Sequence, residues 1–322
     1  MLGLDALRAA AVLAVMMAHA GDLLDSQPAP GPRLHFLGES GVNAFFALSG
    51  FLVGGIALRE IHHRRDVWRF WVRRWLRTLP AAVAVALLLT PVVRPSWVEL
   101  ITTLTFTRFL TEGLYGAFLP HFWSLAVEEW AYLLLPGLVL AVGRRDPLPW
   151  LALGWLGLAA ARAGAIALGD IETEAALHLS FLRLDAILGG VVAAAAAPRM
   201  PRSMRNQLAW AGATGIAVLH LAPPMLAAQG SLLPALFAAT IPALAAWRPT
   251  GARWLWRLVL HVADISYGLY LVHLPLFVLV PQLISGPPLL MALVATWIAA
   301  LALRRWIELP FIAMRVRQRA TA

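Results

Sequence analysis

Apolar runs long enough to cross a bilayer recur from one end of this 322-residue chain to the other. A spanning helix needs about 20 predominantly apolar residues. About ten runs qualify, over roughly 4–24, 40–58, 79–93, 121–143, 149–168, 177–197, 207–222, 231–247, 258–284 and 288–305. The third is short, and the ninth is long enough to tilt or break. Neither a linker nor a low-complexity tract interrupts the series. The pattern therefore predicts one domain, 1–322, built as an all-α polytopic membrane bundle. The first run exceeds the apolar core of a secretory signal and carries Arg8 and His19, so it is read as a structural span. Segment 94–120 contains the semi-apolar WVELITTLTFTRFL, which fits a re-entrant or interfacial helix. Segment 169–174, GDIETE, reads as an acidic loop.

Charge orients this bundle. Only 13% of residues are charged, and the net charge is +9. All 26 basic residues are arginine. With the N-terminus inside, twenty of them fall on cytoplasmic segments or the adjoining helix ends and three (Arg33, Arg94, Arg108) outside, while Arg8, Arg162 and Arg183 lie within spans. This asymmetry predicts cytoplasmic termini and a multi-pass protein of a bacterial cytoplasmic membrane. It also explains the positive charge without nucleic acid. The absence of cysteine excludes disulfides, thiolate metal sites and cysteine nucleophiles. The absence of lysine excludes Schiff-base chemistry and a Walker-type phosphate lysine.

A lone ionisable group inside such a run costs about 2.5–3.5 kcal/mol on insertion scales. Arg8 and His19 lie eleven residues apart, about three turns, on one side of their helix and ~16 Å apart along its axis. His19 has the chemistry of a general base for a hydroxyl, and Arg8 that of a holder of an anionic group or a carboxylate. The competing reading is an arginine snorkelling to the interface and a histidine bonded to a neighbouring helix. In HFWSLAVEEWAYLLLP, the residues His121, Ser124, Glu128 and Tyr132 fall within about 80° on a helical wheel, with Glu129 some 100° from Glu128. Glu128 could orient an imidazole, or the stripe could be an interhelical hydrogen-bond seam.

Three further blocks carry candidate chemistry. GVNAFFALSGFLVGG permits close backbone approach, to another helix or to a ligand. Its Ser49 lacks the strand-turn-helix elbow of a nucleophile. DVWRFWVRRWLRTLP, if helical, sets Arg69, Arg73, Arg74 and Arg77 against Trp71, Val72, Trp75 and Leu76, as expected of a helix lying on the cytoplasmic surface. Its partner is either anionic lipid or a polyanion such as the phosphates of coenzyme A. In DISYGLYLVHLP, Ser266, Tyr270 and His273 share an arc of about 60°. Pro275 beyond them frees a backbone carbonyl, and His273 reads first as a structural hydrogen-bonding residue. Arg183 and Asp185 point about 160° apart and cannot pair with each other, so each needs a partner elsewhere or a wet cavity.

Taken in order, these blocks resemble the acyltransferase family 3 of integral membrane proteins, the O-acyltransferases of bacterial polysaccharides and some natural products. The resemblance rests on LDALRAAAVLAVMMAHA, GVNAFFALSGFLVGG, RWLR (Arg74 to Arg77), FWSLAVEEWAYLLLP, LRLDAILGG, DISYGLYLVHLP and IELPF, and covers nearly the whole chain. It implies transfer of an acyl group, usually acetyl, from cytoplasmic acyl-CoA to a hydroxyl, often on a glycan across the membrane, with no metal. It implies His19 as the key catalytic residue supported by Glu128, and Arg8 with the Arg74/Arg77 pair handling the acyl donor. Arg69, Arg73 and Ser49 join the donor-side candidates, while Ser124, Tyr132, Tyr270 and His273 are the candidates for substrate contact. Trp130 and Ala131 depart from the family's usual E-E-Q-F-Y, which puts local contacts in question but not the carboxylate. Many members of that family carry a periplasmic SGNH-type hydrolase domain, and in this the chain departs from them: a stand-alone form is expected. The competing class is a transporter or flippase of a glycan or lipid-linked intermediate, since polar groups inside a bundle also mark transport pathways.

Overall fold

The computed structural model describes residues 1–24, 32–107, 118–143, 145–167, 181–222, 231–248, 251–284 and 286–320, and these contain helix and no strand. Among the described residues, twelve α-helices follow one another: α1 (Leu2–Leu24), α2 (Pro32–Glu60), α3 (Arg64–Val93), α4 (Trp97–Leu104), α5 (Trp123–Val142), α6 (Pro147–Ala167), α7 (Leu184–Ala196), α8 (Arg202–Leu221), α9 (Leu232–Ala246), α10 (Arg253–Leu283), α11 (Pro288–Leu303) and α12 (Leu309–Ala320). A π turn, Arg304–Glu308, joins the last two. The acidic loop 169–174, Arg108 and Arg144 lie outside the described residues.

Each of the ten apolar runs overlaps a helix. Among the described residues, six helical segments are long and apolar enough to cross a membrane: Leu2–Gly21, Arg33–Glu60, Arg64–Val93, Pro120–Val142, Arg253–Leu283 and Pro288–Met314. Helix α9 is apolar but only 15 residues long, and α8 opens on the polar RSMRNQ.

The structure departs from the sequence reading most clearly at α3. A surface helix over 66–80 followed by a short span was expected; one continuous helix of 30 residues is found, with Pro80 and Pro91 inside it. A proline removes a single helix hydrogen bond, whereas ending the helix at that depth would strip partners from several backbone groups at once. The semi-apolar stretch after it forms α4, capped by Ser96 and Glu99 in a reciprocal capping box. Its Leu100 and Thr103 are buried, while Trp97, Val98 and Ile101 are exposed, the two-sided character expected of an interfacial helix.

The bundle is centred on α2, which packs against α1, α7 and α9, while α10 packs against α1 and α11. Val12, Phe46, Ala82, Leu125 and Leu269 share the central core. The α2–α7 crossing is set by Gly50 and Gly190. A Cβ on Gly50 would sit 1.9 Å from the Ile187 carbonyl oxygen, and one on Gly190 would sit 2.2 Å from that of Ala47. This is close helix approach through small residues, the packing mode suited to an apolar solvent. The buried charges are paired as the wheel requires. Arg183 Nη2 donates to both oxygens of Glu39 at 3.0 and 2.8 Å, and Arg162 Nη1 donates to Asp185 at 3.4 Å. Ser231 also donates to Asp185. Outside the candidate spans, Arg199 clamps Asp146 with two hydrogen bonds and, with the backbone N–H of Leu148, holds that carboxyl below its ordinary range.

Replacing Gly50 with alanine should lower stability by about 1–3 kcal/mol, the cost of overpacking a closed contact. Gly137→Ala, where nothing lies within 4 Å of an added Cβ, should be neutral or stabilising by up to about 1 kcal/mol. Thermal unfolding of the two variants in detergent compares them directly.

Candidate active site

A cavity of about 300 Å³ lies among α1, α2, α3, α5, α10 and the π turn. Its cationic wall is Arg8, Arg74 and Arg77; its acids are Glu128 and Glu308; Ser49, Thr78, Ser124, Ser266, Tyr267 and Tyr270 add hydroxyls. Phe45, Phe46, Leu52 and Ile56 of α2 form much of the apolar remainder. The chamber therefore has a charged floor and a greasy flank, suited to a ligand with an anionic head and an apolar arm.

Glu128 is the hub of the polar wall. Ser49 Oγ donates to its Oε1 at 2.7 Å, and the Tyr132 hydroxyl donates to its Oε2 at 3.1 Å. Arg74 Nη2 donates to that same hydroxyl at 2.7 Å and lies 4.0 Å from Oε2. The Arg74 guanidinium also sits over the Tyr132 ring, 4.2 Å from its centre. One carboxylate thus fastens α2, α3 and α5 together. Its neighbour Glu129 accepts from Thr78 Oγ1 at 2.7 Å, and Tyr267 donates to the Thr78 carbonyl at 2.7 Å.

Two prolines supply further anchors. Pro275 cannot donate to the carbonyl four residues back, Leu271, and His121 Nε2 takes that oxygen at 3.1 Å. Pro136 likewise frees the Tyr132 carbonyl, and Trp71 Nε1 takes it at 3.1 Å. A carbonyl only accepts, so the His121 proton is on Nε2 and Nδ1 is left as an acceptor. The same logic places the His273 proton on Nδ1, which bonds the Tyr270 carbonyl at 2.7 Å. Both remaining nitrogens, His121 Nδ1 and His273 Nε2, are buried and without a hydrogen-bond partner among the described residues.

These imidazoles form a cluster with His19. The His19 and His273 ring centres are 5.2 Å apart, and those of His121 and His273 are 5.3 Å apart. Tyr270 links the cluster to the cavity. It lines the chamber, and its ring centre lies 5.6 Å from both His121 and His273. Its hydroxyl donates to the His121 carbonyl at 3.0 Å and meets Ser124 Oγ at 2.5 Å.

Of the sequence candidates, Arg8, Ser49, Arg74, Arg77, Ser124, Glu128 and Tyr270 meet on the cavity wall. Tyr132 is buried against Arg74, and His19 and His273 stand in the histidine cluster. Arg69 is exposed and Arg73 bonds Glu60, both away from the cavity. Sequence reasoning gave no site role to Thr78, Tyr267 or Glu308. Glu308 is 5% exposed, accepts from Arg304 Nη1 at 3.2 Å, and keeps Oε1 unpartnered among the described residues. Its signal was present, since it is the only acid after Asp264. The π turn that points it inward has no such mark in the sequence. Among the described residues, no group of three His, Asp or Glu side chains is arranged to hold a metal ion.

The structure is an apolar helical bundle around a chamber that carries three arginines and a hub carboxylate, with imidazoles adjacent. The comparisons make the class specific: residues 1–303 match the acyltransferase domain of acyltransferase family 3, and the chain belongs to that family. The curated relatives include O-acetyltransferase OatA of Staphylococcus aureus, strains NCTC 8325 / PS 47, COL and MRSA252. Each is 31% identical over 153 residues, which is 42% of this chain and 24% of the relative. The match thus spans about a quarter of the length of these relatives. No solved structure matches the chain.

Glu128→Ala should destabilise the protein by about 1–3 kcal/mol, because it leaves the partly buried Arg74 and Ser49 without the carboxylate they face. Adding Arg74→Ala should cost less than the sum of the single changes, by about 0.5–3 kcal/mol. A thermal double-mutant cycle in detergent measures the coupling, and strict additivity would dissolve the proposed hub.

Proposed function

We propose that this chain is a membrane O-acyltransferase that moves an acyl group, acetyl in the simplest case, from cytoplasmic acyl-CoA to a hydroxyl of an envelope glycan or related acceptor. Its ten helices that overlap the apolar runs all span a bacterial cytoplasmic membrane, with both termini inside. The observation that carries the reading is the arginine-floored cavity that ends at Tyr270, with His19, His273 and His121 directly behind it. The names of the relatives support O-acetyl transfer.

Phosphates of the acyl donor bind against Arg8, Arg74 and Arg77, where charge-assisted hydrogen bonds are strong and a guanidinium can bond two oxygens at once. The acyl-bearing arm runs along the α2 wall past Tyr270. His19 takes the proton of the acceptor hydroxyl as its oxygen bonds to the thioester carbonyl carbon. The tetrahedral adduct then expels the thiolate of coenzyme A, which recovers the proton from His19. Glu128 holds Arg74 and Ser49 in place throughout. Coenzyme A never crosses the membrane, and only the acyl group changes sides.

His19→Ala should lower acyl transfer by purified protein roughly 10²–10⁴-fold, the usual worth of a general base, while leaving acyl-CoA affinity within a factor of two or so. Glycan or lipid movement that persists in this variant without any acyl transfer by the parent would replace the enzyme with a transporter. Arg77→Ala should weaken acyl-CoA binding about tenfold or more, as expected for loss of a hydrogen bond to a charged group worth ~1.5–3 kcal/mol, with a smaller effect on maximal turnover. Calorimetric titration with a non-hydrolysable acyl-CoA reads the affinity, and unchanged binding would remove Arg77 from the donor site.

A further inference from the structure

A second, larger space of about 1060 Å³ lies between α1, α8 and α9, away from the histidines and the acyl-transfer chamber. Its two ends differ in chemistry. Arg202 and Arg205 at the start of α8 and Arg248 just after α9 gather at one end, beside Leu7 of α1. Apart from Asn206 and Thr240 the rest is apolar, with Ile216, Phe237 and Leu244 on its walls. Among the described residues, no acidic side chain lines it. None of the three arginines has an ion pair among the described residues, and Arg205 Nε is buried without a hydrogen-bond partner. This sets them apart from Arg73, Arg74, Arg162, Arg183, Arg199 and Arg304, each of which faces a carboxylate. Uncompensated guanidiniums at one end of an apolar slot call for an anion with a hydrocarbon tail.

The dimensions and the aromatic rim specify the tail's source. From Arg202 to Ile216 the wall is ~21 Å long at 1.5 Å per residue, more than half of a hydrocarbon core about 30 Å thick. Trp247, half-exposed, stands beside Arg248 at the charged end, the position of an indole at the headgroup level of a leaflet. Trp210, 76% exposed, lies deeper along the slot. The geometry points to a site for an anionic phospholipid, its phosphodiester among Arg202, Arg205 and Arg248 and an acyl chain laid between α8 and α9. Leu7 faces this lipid while the next residue, Arg8, faces the transfer chamber; successive residues of a helix diverge by about 100°. The lipid therefore buttresses the helix that carries Arg8 and His19.

The test uses the full-length protein, stripped in detergent and re-supplied with phosphatidylglycerol or phosphatidylcholine, with bound lipid read by native mass spectrometry. No turnover is needed, so the result stands apart from the acyltransferase assignment. Phosphatidylglycerol should be retained and phosphatidylcholine lost. The R202Q/R205Q/R248Q variant should bind phosphatidylglycerol about 100-fold more weakly, since each basic residue near an anionic headgroup contributes roughly a fivefold preference. The R64Q/R65Q variant, altered at the exposed start of α3, should bind as the parent does. Should the triple variant not fold, Arg248→Gln alone should show the roughly fivefold loss. Equal retention of both lipids, unchanged binding by the arginine variants, or displacement of the lipid by inorganic phosphate would each overturn the proposal.

Discussion

A carboxylate placed among apolar helices has to be compensated where it stands, and that requirement at Glu128 organises the rest of the molecule. Its oxygens accept from α2 through Ser49 and from Tyr132 of its own helix, and through Tyr132 they hold Arg74 of α3. Any one of these bonds is modest in water. Inside a bundle the alternative is an unpaired charge, so the set stands or falls together. The chamber is the space these helices leave when they converge on the hub, which is why its wall is polar at the middle of an otherwise apolar body.

The same need for partners extends to the backbone. Prolines 275 and 136 each remove a helix donor, and the orphaned carbonyls of Leu271 and Tyr132 are taken by His121 and Trp71. In a soluble protein, water would meet such oxygens. Here side chains from neighbouring helices do so, and in meeting them they acquire fixed orientations and fixed proton positions. Features that look like defects in a helix become the means of aiming an imidazole.

Much of this was legible in the sequence, because the bilayer reduces the problem to apolar length and polar exceptions. The wheel placed Ser124 and Glu128 on one stripe, and the structure turns both into the chamber. It separated Arg183 from Asp185, and each found a different partner, Glu39 and Arg162. The misses have a common cause. The continuity of α3 through Pro80 depends on what surrounds that turn, which periodicity does not encode. The four-arginine arc of α3 was read as one surface, yet Arg69 is exposed, Arg73 bonds Glu60, and Arg74 and Arg77 reach the chamber. Glu308 arrives through a π turn, an irregularity that a 3.6-residue wheel cannot anticipate.

The crossing of Gly50 and Gly190 bears on motion as well as on packing. Backbone meets backbone there with no side chain to yield, so α2 and α7 are locked in one register. Ser49, one residue from that contact, is carried on the wall this crossing holds. Any widening of the chamber then falls to the opposite side, where α3 and α10 face it through side chains such as Arg77 and Tyr267. The protein is in this sense a vise with one fixed jaw.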